Sequence, residues 1–235
     1  MLSKIKQDLK NLANPKQAKL LQGFFKTGKG QYGEGDIFLG IKVPEQRKVA
    51  KKYSELTLTS LTKLLKSKIH EERLVALLIL TAKYQKAAKD NNEKEQTKLV
   101  NCYLSNTKYI NNWDLVDLTA HKILGHYLLK RNRKVLYELA KSSSLWEKRI
   151  SVIATFEFIR NKQYDDNIKI AEILLNDTHD LIHKAVGWML REIGKKDQAV
   201  EERFLKKHYK TMPRTMLRYA IERFSDKKRK FYMKK

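Results

Sequence analysis

The sequence predicts an all-α fold built from a stack of two-helix repeats. Three observations predict it. The 235 residues include only three prolines and nine glycines, which favours long helices over a turn-rich β architecture. Apolar residues make up 42% and charged residues 32%, so the chain folds rather than staying disordered. A charged turn followed by a nearly continuous apolar run recurs along the chain. It appears as Glu71-Glu72-Arg73 ahead of Leu74–Leu80, as Glu147-Lys148-Arg149 ahead of Ile150–Ala154, and as Ile182–Leu190, with Trp113–Leu124 a looser copy. The spacing of roughly 35–40 residues is that of HEAT-like units. In such a stack the apolar helix of each pair lies inside, and its charged first turn is expected to open onto a concave surface. The whole of 1–235 is read as one domain with a basic tail from about 226.

The elements follow in order. Residues 2–27 read as two helices broken at Asn14-Pro15, with Pro15 in a first helical position. A loop runs from about Thr27 to Val43. Pro44 opens the next helix, and Thr57 to Leu65 forms another. From His70 onward nearly everything is helical, with short polar breaks, and the last two helices cover Pro213–Phe224 and the basic tail.

Charge is the strongest global signal. Fifty Lys and Arg against 26 Asp and Glu give a net charge of +24, which suits a polyanionic partner. Nucleic acid comes first, because neutralising phosphates releases condensed counterions; a generally lysine-rich surface is the plain alternative. The basic residues are spread over many helices, which argues against a membrane-surface role. No run of about 18 apolar residues is present, so no membrane span is expected. The N-terminus lacks a secretory apolar stretch, and Cys102 is the one cysteine, so a soluble cytoplasmic protein, associated with the nucleoid, is expected.

Asp117 is the most informative residue. Asn112 is a plausible N-cap for the helix that begins at Trp113. Asp114 lies in its first turn, where a carboxylate suits the helix dipole. Asp117 stands four residues after Trp113 and seven before Leu124, so a continuous helix puts all three on one face. An acid on an apolar stripe needs a compensating partner, as a structural ion pair or as part of a site beside an aromatic wall. Arg149, one repeat further on, can pair with it or hold a phosphate. Lys184, Trp188, Arg191 and Lys195 follow i, i+4, i+7, i+11 spacing and read as one basic face around an indole, suited to sugar or base stacking with phosphates alongside. Lys42, Arg47, Lys48 and Arg73 are further candidate DNA contacts; for Arg73 a capping role is equally good. Trp146 reads as a staple or core residue. The segment Gly28-Lys29-Gly30-Gln31-Tyr32-Gly33 matches a dinucleotide fingerprint but follows a helix rather than a strand, so the nucleotide reading is rejected. It is either a flexible connection or a loop whose amides approach a phosphate. The histidines show no metal spacing, and no metal or cofactor is expected.

Four elements occur in order: Phe38-Leu39-Gly40-Ile41-x-Val43-Pro44-x-x-Arg47-Lys48, then Asn112-Trp113-Asp114-Leu115-Val116-Asp117, then Trp146-x-x-Arg149, then Lys184-Ala185-x-Gly187-Trp188-x-Leu190-Arg191. Together they resemble the AlkD-type DNA alkylation repair proteins across essentially the whole chain. The resemblance implies a right-handed α-α superhelix with a concave basic cleft. It also implies monofunctional removal of N3- and N7-alkylated purines from double-stranded DNA, without metal. A monomer with no cofactor and no obligate protein partner is expected, because a solenoid that wraps DNA needs no partner chain. By position, Asp117 would be the catalytic carboxylate, Trp113 and Trp188 aromatic walls, and Arg149 a DNA-contacting cation. Gln22-Gly23-Phe24-Phe25-Lys26 lacks the tyrosine that some relatives carry there. The alternatives are a non-catalytic binder of damaged or branched DNA, using the same cleft, and a scaffold for an acidic protein partner.

Overall fold

The computed structural model describes residues 1–234. The described residues are helical apart from their connections, and the only extended pairing among them is a single parallel bridge between Ile37 and Ile69. They form an α-α superhelical type of architecture that divides into two compact units, Met1–Thr119 and Ala120 onward.

The first unit contains α1 (Leu2–Asn11), α2 (Pro15–Phe24), α3 (Val43–Lys52), α4 (Leu58–Leu65), α5 (His70–Lys89), α6 (Glu93–Leu104) and the short α7 (Trp113–Asp117). Its boundaries follow local chemistry. Asn14 caps α2 by accepting from the Gln17 N–H, Thr57 caps α4 through Ser60, and Asn92 caps α6 through Glu95. The core is built on α5, whose apolar run Leu74–Leu80 is buried on every side. Ile5 and Leu9 of α1, Val49 of α3, Leu61, Leu64 and Leu65 of α4, and Leu99 and Tyr103 of α6 complete it. The inner-helix expectation for this segment holds.

The charged opening turn of α5 departs from expectation. Glu71, Glu72 and Arg73 are buried rather than open to a surface. Glu71 accepts from three consecutive backbone amides, Leu39 (2.9 Å), Gly40 (2.8 Å) and Ile41 (3.2 Å). That carboxylate clamps the approach to α3. Gly40 makes the clamp possible: it sits at φ +84°, and a Cβ there would lie 2.2 Å from the Asn14 carbonyl oxygen.

The second unit contains a π-helical turn (His121–Gly125), α8 (His126–Leu128), α9 (Lys134–Ala140), α10 (Leu145–Arg160), α11 (Asp165–Ile173), α12 (Asp180–Gly194), α13 (Gln198–His208), α14 (Arg214–Ala220) and α15 (Asp226–Met233). Ser144 caps α10 by accepting from Glu147. Helices α10 and α12 supply the core through Ile150, Ile153, Phe158, Ile182, Met189 and Leu190. Helix α12 packs closely on α14 because Gly187 has no side chain; a Cβ would lie 2.4 Å from the Met216 carbonyl oxygen.

The continuous helix expected over Trp113–Leu124 does not form. Helix α7 ends at Asp117, a turn follows, and the backbone then passes into the π-helical turn. Trp113 and Asp117 keep their shared face, four residues apart, whereas Leu124 belongs to a separate segment with a different register.

Candidate functional site

In the first unit the site grows from the start of α7. The Asn112 side chain accepts from the Trp113 N–H at 2.8 Å, which begins the helix. One oxygen of Asp114 accepts from the Leu115 N–H at 2.8 Å, and the other accepts from His70 Nε2 at 2.8 Å. His70 Nδ1 faces Asp36 Oδ2 at 3.3 Å, and Arg73 donates to that oxygen at 2.7 Å. Asn112 Nδ2 adds a third donor at 3.3 Å. Asp36, His70, Arg73, Asn112 and Asp114 are all buried.

A neutral imidazole has one N–H, so this ring donates to both carboxylates only when it holds two protons; Arg73 Nη2 also lies 3.5 Å from Nδ1. Burial opposes that charge, but the Asp114 and Asp36 carboxylates outweigh it and hold His70 above the ordinary histidine value. Asp36 moves the other way: burial raises it, and His70 and Arg73 together bring it below the usual carboxylate value.

Trp113 and Asp117 stand half-buried at the two ends of α7. The indole stacks on Phe25 with ring centres 5.0 Å apart and meets the edge of Phe24 at 5.8 Å. Phe25 in turn stacks on Phe38 at 5.0 Å, and Phe38 on His70 at 4.5 Å. Beside these rings runs a half-open cavity of about 230 Å³, lined by Phe24, Phe25, Phe38, Gln46, His70 and Asp114 among others. Asp117 acts on its surroundings too: burial pushes the Tyr103 phenol well up, Thr119 opposes that, and the Asp117 charge adds to it.

The glycine-rich loop has a definite structure. Gly28 N–H donates to Gln31 Oε1 at 3.0 Å and Gly30 N–H to Glu34 Oε2 at 2.7 Å. These two amides are taken up internally and are not open to a phosphate. The loop carries Tyr32, whose hydroxyl accepts from Trp113 Nε1 at 3.3 Å. A tyrosine hydroxyl therefore reaches the aromatic wall from this loop, although Phe24 and Phe25 supply none.

Other predicted residues of this unit divide in two. Lys42, Arg47 and Lys48 are exposed at the start of α3, with no ion pair among the described residues. Arg73 is 3% exposed and bound to Asp36 and to the Ser67 carbonyl (3.0 Å), so its prediction as a DNA contact is corrected: it is an internal cation.

In the second unit, Arg149 is buried in the first turn of α10 and donates to the Leu181 carbonyl at 2.5 Å. Trp188 is half-buried on α12, 6.0 Å from the Phe156 ring, and its N–H donates to Glu192 at 3.0 Å. The cations around it are paired: Lys184 with Asp180 (2.7 Å), Lys195 with Glu192 (2.6 Å), and Arg191 with Glu222. The predicted basic face is thus an alternation of charges, with Glu192 at its centre. That acid, four residues after Trp188, was open to the same spacing argument. His70, Tyr32 and Phe156 were not singled out from sequence. Trp146 is half-buried within the first turn of α10. Among the described residues no group of His, Cys, Asp and Glu is arranged to hold a metal ion, and no helix is long and apolar enough to cross a membrane.

The fold and these groups define a helical-repeat protein with an acid and an aromatic wall set on one short helix. The DNA alkylation repair enzyme family model matches residues 5–224, and the chain belongs to that family. Among solved structures it is similar to a predicted DNA alkylation repair enzyme from Enterococcus faecalis, with a TM-score of 0.69 and 17% identity, covering 91% of this chain and 97% of that one. No curated protein matches the chain.

Proposed function

We propose that this protein is a DNA glycosylase that removes cationic N3- and N7-alkylated purines from duplex DNA. The observation that carries this reading is α7, which sets an indole and a carboxylate four residues apart beside a cluster of rings. An alkylated purine is positively charged and already a good leaving group, so no strong general acid is required. What lowers the barrier is a fixed negative charge beside the sugar as the glycosidic bond breaks and an oxocarbenium ion develops. Asp117 supplies that charge and orients the attacking water. Trp113 attracts the cationic base through its π face. Arg149, buried and bonded to a carbonyl, serves better as a positioning group than as a phosphate contact. Lys42, Arg47, Lys48, Lys184, Arg191 and Lys195 engage the phosphates, and the net charge of +24 supports that role. In this reading the protein acts as an intracellular, nucleoid-associated monomer without metal or cofactor.

The test is release of free base from duplex DNA treated with a methylating agent. Asp117→Asn is expected to lower the rate by on the order of 10²–10³ while duplex binding persists. Binding without base release by the native protein would overturn the enzyme reading and leave a non-catalytic binder of damaged or branched DNA.

A further inference from the structure

Helix α7 is five residues long, far below the length at which a helix sustains itself. Its position must come from its anchors: at its start the cap Asn112 reaches Asp36 directly, and Asp114 reaches the same loop through His70. His70 joins α7, through Asp114, to the loop before α3, through Asp36, and it does so from the first turn of the core helix α5.

We propose that His70 is the positioning residue for α7: by bridging Asp114 and Asp36 it fixes the direction in which Trp113 and Asp117 point. The proposal rests on the glycosylase reading only for its activity readout. The geometry is specific. His70 is 2% exposed, and Phe25 and Phe38 lie against its ring, leaving the two nitrogens as its only polar handles. The charged groups around it are Asp114 on α7, Asp36 on the preceding loop, and Arg73 and Glu71 on its own helix. Glu71 is occupied by three backbone amides, and Arg73 by Asp36 and the Ser67 carbonyl. His70 is the bridge between the two carboxylates, and it donates to both only while both ring nitrogens carry protons; a deprotonated Nδ1 is left with Arg73 Nη2 at 3.5 Å. Deprotonation turns one lone pair toward a carboxylate, so one of the two links is lost. His70 sits above its ordinary value, so the bridge is complete below that ordinary value and opens as pH rises through the folded-state value.

His70→Gln keeps one donor and can hold either carboxylate but not both. The experiment measures amide exchange of Leu115–Leu118 against that of the buried Leu74–Leu80 segment, single-turnover base release across pH 6–10, and duplex affinity. Expected are faster exchange confined to α7, a rate lower by about 10- to 10²-fold as for a misplaced catalytic group, unchanged duplex affinity, and loss of the alkaline decline that the native enzyme shows. Asp114→Asn, which keeps an acceptor for the Leu115 amide, is expected to reproduce the exchange pattern should His70→Gln fold poorly. Unchanged α7 exchange in these variants overturns the proposal, as does loosening spread evenly over α5 and α7 with the alkaline decline retained. A native protein that releases no base defeats the glycosylase reading alone, and the exchange comparison still decides the role of His70.

Discussion

The two units use charge in opposite ways. In the first, Asp36, His70, Glu71, Arg73 and Asp114 are buried and bonded to one another or to backbone amides. In the second, the ions nearest Trp188 pair at or near the surface, as Lys184 with Asp180 and Lys195 with Glu192. A buried ion pair adds little net stability over an apolar substitute, yet breaking it is costly because a charge is left stranded. A surface pair contributes little either way. The first unit therefore uses its charges to fix geometry around α7, and the second uses them to set the surface around an indole. Two buried charges of the second unit, Arg149 and Glu201, sharpen the contrast. Arg149 is bonded to a backbone carbonyl, whereas one oxygen of Glu201 has no partner, and burial, with help from Glu202 and against Arg191, pushes the Glu201 carboxyl up to about 8.

Three substitutions test this contrast, from the largest expected effect downward. Arg73→Ala takes the guanidinium from the buried Asp36, leaving it His70 and Asn112, and should cost about 3–5 kcal/mol in urea denaturation at neutral pH; a loss under 1 kcal/mol would mean the first-unit network is as weak as a surface one. Glu201→Gln addresses pH. A carboxyl held neutral in the fold destabilises as pH rises from 4.5 through about 8, after which the loss is complete. The native protein should therefore lose a few kcal/mol across that window, by the usual conversion of pKa difference to free energy. The variant should show no such loss, and parallel pH curves for the two proteins would contradict the burial argument. Lys195→Ala comes last. Its stability change should stay below about 1 kcal/mol, while the salt dependence of duplex binding should flatten by roughly one counterion. An unchanged salt slope would place Lys195 off the DNA.

Much of the fold was legible because helix boundaries are local chemistry. Asn14-Pro15, Thr57 and Asn112 cap or start helices where the residue types say they should. The buried face of α5 followed from its apolar run. Helix α7 and its pair Trp113 and Asp117 were legible from the same kind of pattern. What escaped is what depends on distant chain. The acids of α5 looked like a solvent-facing turn, yet Glu71 closes on amides some thirty residues earlier. Periodicity extended the Trp113 helix to Leu124, where the backbone instead enters a π-helical turn. The basic stripe around Trp188 was read without Glu222, which is brought in by a different helical segment. Tyr32 lay inside a motif already set aside on topological grounds.

The hydrogen bond from Trp113 to Tyr32 has a chemical consequence. The indole has one polar handle, and here that N–H is occupied by a hydroxyl within its own unit, while one flank of the ring lies against Phe25. What the ring still offers a ligand is its quadrupole. On the glycosylase reading, such a surface sorts bases by charge and flatness rather than by their donor and acceptor edges. It would treat cationic adenine and guanine adducts alike and hold them more tightly than neutral bases, which stack without the added attraction of charge.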